Sequence, residues 1–367
     1  MRRFTAGKCY AQADDHVLEF VHDYFRKGRK TLFISTLGIQ PQSLFFPTQV
    51  FSKFPDVTFR IIIEKRRELS PTLSEIGKQH ADYVSKQLSS RNLEFVEVDI
   101  VAKDGATIGG RTAVVKAREW YKDEFTDIVI DATGMSRGIC FPLVQQAIEV
   151  GLSKNANVHL FVASSDHRPV DLKSESSDRA EWMHGFQQKM GLDSTADTMK
   201  LWVPQLSESA EAQMEMMYRA LSASSSVAEV CPIVPFPSCK ARRGDDLLYE
   251  FERDFHGEWD CSHLNVIYAH ESNPMDVYSS ISKMVSARKE VFSATDRKAV
   301  TVLSPCGWRI GSLGMLLAAI ELELPMWYVE TISYNTVSTL PPKVEVQEPD
   351  HLWHILLAGA PYENSQL

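Results

Sequence analysis

The sequence predicts an α/β protein made of two Rossmann-like wound parallel sheets in tandem, joined by a helical connector. Three observations predict it. Short β-branched and aromatic runs alternate with segments of helical period, which is the mark of βαβ units. That rhythm breaks between residues 166 and 226 and then resumes. Finally, a strand, glycine loop and helix in the first half reappear in the second.

Five strand-like runs fill the first half, at 31–35, 59–63, 93–98, 127–131 and 158–162. Between them lie crossover helices. The one after Ser70 has Pro71 in its first turn, Thr72 as a cap with Glu75 three residues on, and an apolar face of Leu73, Ile76, Val84 and Leu88. Serine-rich stretches then flank methionine-rich helical segments such as 214–221, read as the connector. Strands resume at 230–236, 265–268, 300–303 and 326–329; Pro232 and Pro235 demote the first to an edge strand or to none. Beyond Pro341-Pro342, the residues 350–357 place Leu352, Trp353, Leu356 and Leu357 on one helical face. The expected organisation is therefore lobe 1 at 1–165, connector at 166–226, lobe 2 at 227–340 and a docking helix in the tail 341–367.

Composition narrows the function. The 367 residues carry 39 Lys plus Arg against 48 Asp plus Glu, a net charge of −9. This argues against sequence-independent duplex binding, which relies on clustered cations to release counterions. A small anionic ligand needs only a few amides and arginines. The longest apolar stretch, 313–320, is far short of the ~20 residues of a membrane span. Met1-Arg2-Arg3 does not open an apolar signal region, so the chain reads as soluble and cytoplasmic. The six cysteines show no CxxC pair. Cys231, Cys239, Cys261 and His263 lack a zinc-finger spacing, and no metal or cofactor is expected.

The repeat is the most informative motif. One strand runs into Asp131-Ala-Thr-Gly-Met-Ser-Arg-Gly138, another into Ser304-Pro-Cys-Gly-Trp-Arg-Ile-Gly311. Each loop holds an arginine, Arg137 or Arg309, and each following helix carries Ala-Ile-Glu, at 147–149 and 319–321. Glycines here permit positive φ and bare amides at a helix start, where the dipole favours an anion. An arginine adds a forked donor suited to phosphate. The competing reading is that Gly134, Gly138, Gly307 and Gly311 serve tight turns and close packing alone. Neither loop matches GxGxxG or GxxxxGK[ST], which leaves the dinucleotide oxidoreductase class with weak support and the P-loop ATPase class with none.

Other strand ends offer polar groups. Asn273, followed by Pro274 and Asp276, reads as a helix cap, leaving His270 and Glu271 as candidates for acid/base work. Lys240, Arg242 and Arg243 form a basic loop before a helix that Asp245 could cap; phosphate capture and a solvated loop both fit. The run Glu64-Lys-Arg-Arg-Glu68 has balanced charge and reads as a surface turn. Cys140 and Cys306 adjoin the glycine loops, but helical spacing buries Cys140.

On the motifs Asp127-Ile-Val-Ile-Asp-Ala-Thr-Gly-Met-Ser-Arg137 and Val302-Leu-Ser-Pro-Cys-Gly-Trp-Arg-Ile-Gly311, the chain resembles the CRISPR-associated Rossmann-fold (CARF) sensors and their fused relatives, the SAVED domains of antiphage systems. The resemblance implies loops after the first and fourth strands that face a pseudo-twofold axis and hold a cyclic oligonucleotide or related nucleotide. It implies Thr36 and Gly38 in one loop, and Thr133, Gly134 and Arg137 in the other. The loops lack the family's Gly-Thr-Lys type of sequence, and no effector segment is evident. The expectation is a sensor subunit, in a homodimer, acting on a separate effector protein, with Gly138, Gly307, Arg309, Gly311, Arg242 and Arg243 completing the ligand contacts. The alternatives are an enzyme acting on a nucleotide or phosphoester through His270, Glu271 and Asp245, or a structural assembly subunit.

Overall fold

In the computed structural model, which describes residues 10–165, 169–187, 198–223, 228–262, 264–294, 298–339, 343–346 and 348–359, the chain begins with β1 (Ala11–Ala13), α1 (Asp15–Phe25) and β2 (Thr31–Thr36). Three short helical turns over 41–53 lead to β3 (Val57–Lys65) and β4 (Glu68–Leu69). Then come α2 (Pro71–Gln87), β5 (Asn92–Asp99), α3 (Gly109–Trp120), β6 (Asp127–Asp131), α4 (Arg137–Lys154) and β7 (Asn157–Ser164). The middle holds β8 (Lys173–Trp182), β9 (Thr198–Pro204), α5 (Glu211–Ser222), β10 (Glu229–Val230), β11 (Ile233–Pro235), α6 (Arg243–Glu250) and α7 (Glu252–His256). The chain continues through β12 (Ile267–Ala269), α8 (Pro274–Ser293), β13 (Lys298–Ser304), α9 (Arg309–Leu322), β14 (Trp327–Asn335) and β15 (His351–Ala358).

Two compact units result. The first comprises Ala6–Glu175 and Thr331–Leu367, the second Ser176–Glu330. Among the described residues the chain passes from one to the other twice, each time within a strand, β8 and β14.

The first unit's sheet runs β1-β15-β7-β6-β2-β3-β5. Its five expected strands are all present and parallel, while β15 pairs antiparallel with β7 and with β1. Their continuous apolar character follows from burial on both faces: every residue of β2 and β6 is buried. Phe33, Phe46, Phe51, Phe59 and Phe161 fill one side of this sheet. The α2 cap is Ser70 rather than Thr72, its hydroxyl accepting from the Leu73 amide at 3.4 Å.

The expected tail helix is instead the strand β15, with Leu352, His354, Ile355, Leu356 and Leu357 buried. Pairing with the open edge of β7 outweighs the helical spacing of its leucines.

In the second unit β11 and β12 pair in parallel, as do β9 and β13. Parallel bridges Gln205–Ile233 and Leu303–Met326 join these into the order β12-β11-β9-β13 followed by the start of β14. Taken in chain order this is 3-2-1-4-5, the same winding as β5-β3-β2-β6-β7 in the first unit. Two Rossmann-like wound sheets in tandem are therefore the architecture. The connector is corrected: residues 166–226 hold β8 and β9 as well as helix α5, and β9 is the central strand of the second sheet, so that lobe starts well before 227. Residues 224–227 of the serine run, and Pro341-Pro342, lie outside the described residues. The segment 230–236 is broken at Pro232 into β10, which pairs with β9 alone, and β11, which lies between the end of β9 and β12 rather than at an edge. Trp202, Met214, Met217, Phe251, Phe255 and Trp259 pack the core here.

The N-terminal turns of α3 and α4 meet through glycine. A Cβ on Gly110 would stand 2.3 Å from the carbonyl oxygen of Gly138. Gly110→Ala is expected to cost about 1–3 kcal/mol in urea unfolding, because a backbone atom cannot move aside cheaply. Parent-like stability would show that the two helices separate freely.

Candidate functional site at the carboxyl edges of the two sheets

In an open α/β sheet the ligand crevice lies where the winding reverses, beyond the carboxyl ends of the strands. In the first unit that point is between β2 and β6, and it gathers Thr36, Gly38, Thr133, Gly134 and Arg137 from the sequence expectation. Gly38 and Gly134 touch: a Cβ on Gly38 would lie 3.1 Å from Gly134 Cα and 2.7 Å from Ser43 Cβ. A Cβ on Gly134 would lie 3.0 Å from the Thr36 carbonyl oxygen. Neither glycine has positive φ, nor do Gly138, Gly307 and Gly311, so these positions need close approach and not the left-handed conformation.

The groups at this edge divide into committed and uncommitted ones. Thr133 is committed: its amide and hydroxyl both donate to Asp131 Oδ1, at 2.9 and 2.5 Å, and its oxygen accepts from the Ala163 amide at 2.9 Å. His80 on α2 donates through Nδ1 to the Gly38 carbonyl at 2.8 Å and fixes that loop; burial holds its pKa down. Thr36 Oγ1, 3 % exposed, has no hydrogen-bond partner among the described residues, and neither has Ser136 Oγ. Ser136 stands at the cap of α4 without using its hydroxyl to close it. Arg137 is the first residue of that helix.

Glu64 and Arg66, read as a surface turn, belong to this edge. Glu64 Oε1 accepts from the Ser136 amide at 2.8 Å, and its other oxygen pairs with Arg66 at 2.5 Å. Arg66 also donates to the Thr331 carbonyl and stacks over Tyr334, 4.6 Å from the ring centre. Both side chains are at most 10 % exposed. The start of α4 thus already receives a carboxylate, as the helix dipole favours.

The second unit repeats the arrangement with a different outcome. Its switch point lies between β9 and β13, and Arg309 begins α9 as Arg137 begins α4. Here the fully buried Gln205 fills the space. Its Oε1 accepts from the Gly307 amide at 3.1 Å and from Ser312 Oγ at 2.8 Å, while its Nε2 donates to the Trp308 carbonyl at 3.0 Å. Gly311 faces the Gln205 amide and the Trp308 ring, either of which a Cβ would strike at 2.4 Å. The loop amide expected to meet an anion is taken by a neutral side chain of the protein itself.

A third cluster sits beyond β11 and β12. Glu271 accepts from Ser238 Oγ at 2.5 Å, from the Cys239 amide at 3.1 Å and thiol at 3.3 Å, and from Arg243. Burial pushes its pKa up, but these donors and the arginine outweigh burial and hold it below the usual range. Arg243 lies 3.5 Å from Glu208 as well, and Arg242 is exposed beside Asp246. His270 Nδ1 accepts from the Ser272 amide at 3.1 Å, which ties the ring to its own turn. Asp245 lies in the first turn of α6 without capping it. Asn273 does cap α8, accepting from the Met275 amide at 2.9 Å. Among the described residues no group of His, Cys, Asp and Glu is placed to hold a metal, and His263 lies outside them. Cys140 and Cys231 are buried, and burial pushes the Cys231 thiol up to about 11.

No family model and no curated protein matches the chain. Solved structures similar to it include the cytoplasmic domain of a prokaryotic cation chloride cotransporter, at 9% identity over 83% of this chain and 96% of that one, with a TM-score of 0.25. A putative universal stress protein from Pseudomonas aeruginosa is 10% identical over 84% and 94%, with a TM-score of 0.23. UDP-GlcNAc 2-epimerase from Neisseria meningitidis is 7% identical over 78% and 89%, at 0.22. The assignment to Rossmann-like folding rests on the strand order given above. Among the described residues no helix is long and apolar enough to cross a membrane.

Proposed function

We propose that this chain is a sensor subunit that takes a small phosphorylated nucleotide at the carboxyl edge of the first unit's sheet and reports it to a separate effector protein, as its resemblance to CARF and SAVED proteins suggests. The observation that carries this reading is the β2/β6 switch point. There Thr36 and Ser136 carry buried hydroxyls with no hydrogen-bond partner among the described residues, Ser136 precedes and Arg137 opens helix α4, and the Ser136 amide already donates to the Glu64 carboxylate. A phosphate offers the same charge and more acceptor oxygens, so it can share or replace that carboxylate. The repeat in the second unit, closed by Gln205, is a retired copy of the same device.

Calorimetry with a panel of linear and cyclic nucleotides tests this. Arg137→Ala is expected to weaken binding at least about tenfold, the value of one charge-assisted contact. Arg309→Ala should leave affinity within about twofold of the parent. Equal effects, or none at Arg137, would remove the assignment. Mass spectrometry of the recovered nucleotide separates the enzymatic alternative: unchanged ligand supports a sensor and turnover contradicts it. Of the candidate catalytic groups, Glu271 already has both carboxylate oxygens occupied.

A further inference from the structure

The amino end of α4 is capped from outside its own segment. Ser136 has the backbone of a cap residue (φ −63°, ψ 151°), yet its Oγ is buried and has no hydrogen-bond partner among the described residues. Its amide donates instead to Glu64 Oε1 at 2.8 Å, a carboxylate brought from β3. In a capping box that acid comes from the third residue of the helix, which here is Ile139. A separate strand supplies the anion.

Glu64 holds two donors, one with each oxygen. Its Oε2 takes Arg66 Nη2 at 2.5 Å, and the Glu64 and Arg66 side chains are 10% and 4% exposed. Arg66 has anchors of its own besides: Nη1 donates to the Thr331 carbonyl, and the guanidinium lies 4.6 Å from the Tyr334 ring centre. It therefore keeps its place when the carboxylate leaves. Two oxygens on one centre, facing a helix-start amide and a guanidinium, are what a phosphate presents as well.

A second observation points to a ligand at this place. Phe33 of β2 packs with α1 and α2 in the aromatic cluster on one face of the sheet. Side chains alternate along a strand, so Thr36 at the end of β2 stands on the opposite face. That face carries α4, which packs on β6 and β7 and contributes nothing to the cluster. Thr36 is 3% exposed, and its hydroxyl too has no partner among the described residues. Its carbonyl oxygen would meet a Cβ on Gly134 at 3.0 Å, two residues before Ser136. Thr36 thus meets the loop into α4 at Gly134, and Glu64 meets it at Ser136.

Resting on the nucleotide-binding reading above, we propose that Glu64 is a built-in surrogate for phosphate and Arg66 the phosphate-binding residue behind it, and that the pair selects a nucleotide with a terminal phosphate over a cyclic one. The ligand's phosphate displaces the Glu64 carboxylate to solvent and takes over the Ser136 amide and the Arg66 guanidinium. An internal or cyclic phosphodiester carries one negative charge, no more than the carboxylate it must displace. A terminal phosphate carries about −1.5 to −2 at pH 7 and has a third oxygen for the Thr36 or Ser136 hydroxyl. Only the terminal phosphate gains by the exchange.

Calorimetry of the full chain with inorganic pyrophosphate and with dimethyl phosphate, at pH 7.5, tests this. The parent is expected to bind pyrophosphate at least about tenfold tighter than the diester, and Glu64→Gln, which removes the competing charge, to bind it about tenfold tighter again. Adding Arg66→Gln to Glu64→Gln should reverse that gain. A parent that binds both probes equally, no gain in Glu64→Gln, or a gain that survives Arg66→Gln overturns the proposal. Should the variants not fold, nitrogen-15 spectra of the parent decide: the Ser136 amide resonance moves with pyrophosphate and stays with dimethyl phosphate. No movement, or equal movement with both, refutes the surrogate. The sensor reading fails separately. A chain that passes the pyrophosphate tests but takes no nucleotide keeps the anion site and loses the sensor, whereas nucleotide binding that needs Arg137 but not Arg66 keeps the sensor and removes the surrogate.

Discussion

Asp127→Ala is expected to destabilise the protein by about 3–5 kcal/mol, the range for removing one partner from a buried charged network. The carboxylate is fully buried and receives Tyr24, Thr126, His159 and Arg29, which lose a common acceptor together. Asn at the same position keeps the volume but turns an N–H₂ group toward these donors, so it should lose about as much. Asp127 also has its own pH signature. Burial alone would raise its pKa, but His159 first, then Thr126 and Tyr24, outweigh burial and bring it down to about 2. A carboxylate depressed in the folded state contributes stability that is complete above its unfolded value near 4 and is lost as pH falls toward 2. Urea unfolding between pH 5 and 2 should show that loss in the parent and not in Asp127→Ala. A variant within about 0.5 kcal/mol of the parent would mean that the donors find water instead.

Gln205→Leu is the second large effect. Leucine fills most of the space but leaves the Gly307 amide, the Trp308 carbonyl and the Ser312 hydroxyl without their partner in a site closed to solvent. At about 1–3 kcal/mol for each buried polar group left unsatisfied, a total loss of about 3 kcal/mol or more is expected in thermal or urea unfolding. Gln205→Glu gives the complementary reading. A buried carboxylate keeps the two donors but opposes the Trp308 carbonyl, and burial raises its pKa. Its stability should therefore fall as pH rises past the unfolded glutamate value of about 4.3. If either variant is parent-like in stability and gains nucleotide affinity, Gln205 is a removable plug and the second switch point is a usable site.

The parallel strands were legible because burial on both faces demands continuous runs of Ile, Val, Leu and Phe, which local composition displays. The repeat was legible too: α4 and α9 both begin at the arginine of their loop. What local pattern does not carry is the partner of a residue far away. Arg66 looks like any solvated arginine in Glu64-Lys-Arg-Arg-Glu68 until it meets Thr331, 265 residues on. Gln205 sits at the end of a strand in a segment whose serine-rich flanks read as connector, and nothing beside it announces Gly307 or Ser312. The tail failed for a related reason. Leu352, Trp353, Leu356 and Leu357 fit a helical face, but the free edge of β7 offers seven residues of pairing that an isolated helix cannot match. The glycines were found for an incomplete reason: Gly38 and Gly134 are needed because two loops touch, a fact of tertiary approach and not of backbone φ.

The seven-stranded sheet closes with a strand drawn from far downstream, His354 standing 195 residues after the His159 it meets. During synthesis the ribosome must deliver all of β8 through β14 before β15 exists to cover β7. For that interval the nascent first unit presents a bare hydrophobic strand, and the second unit, contiguous in sequence, can finish folding ahead of it.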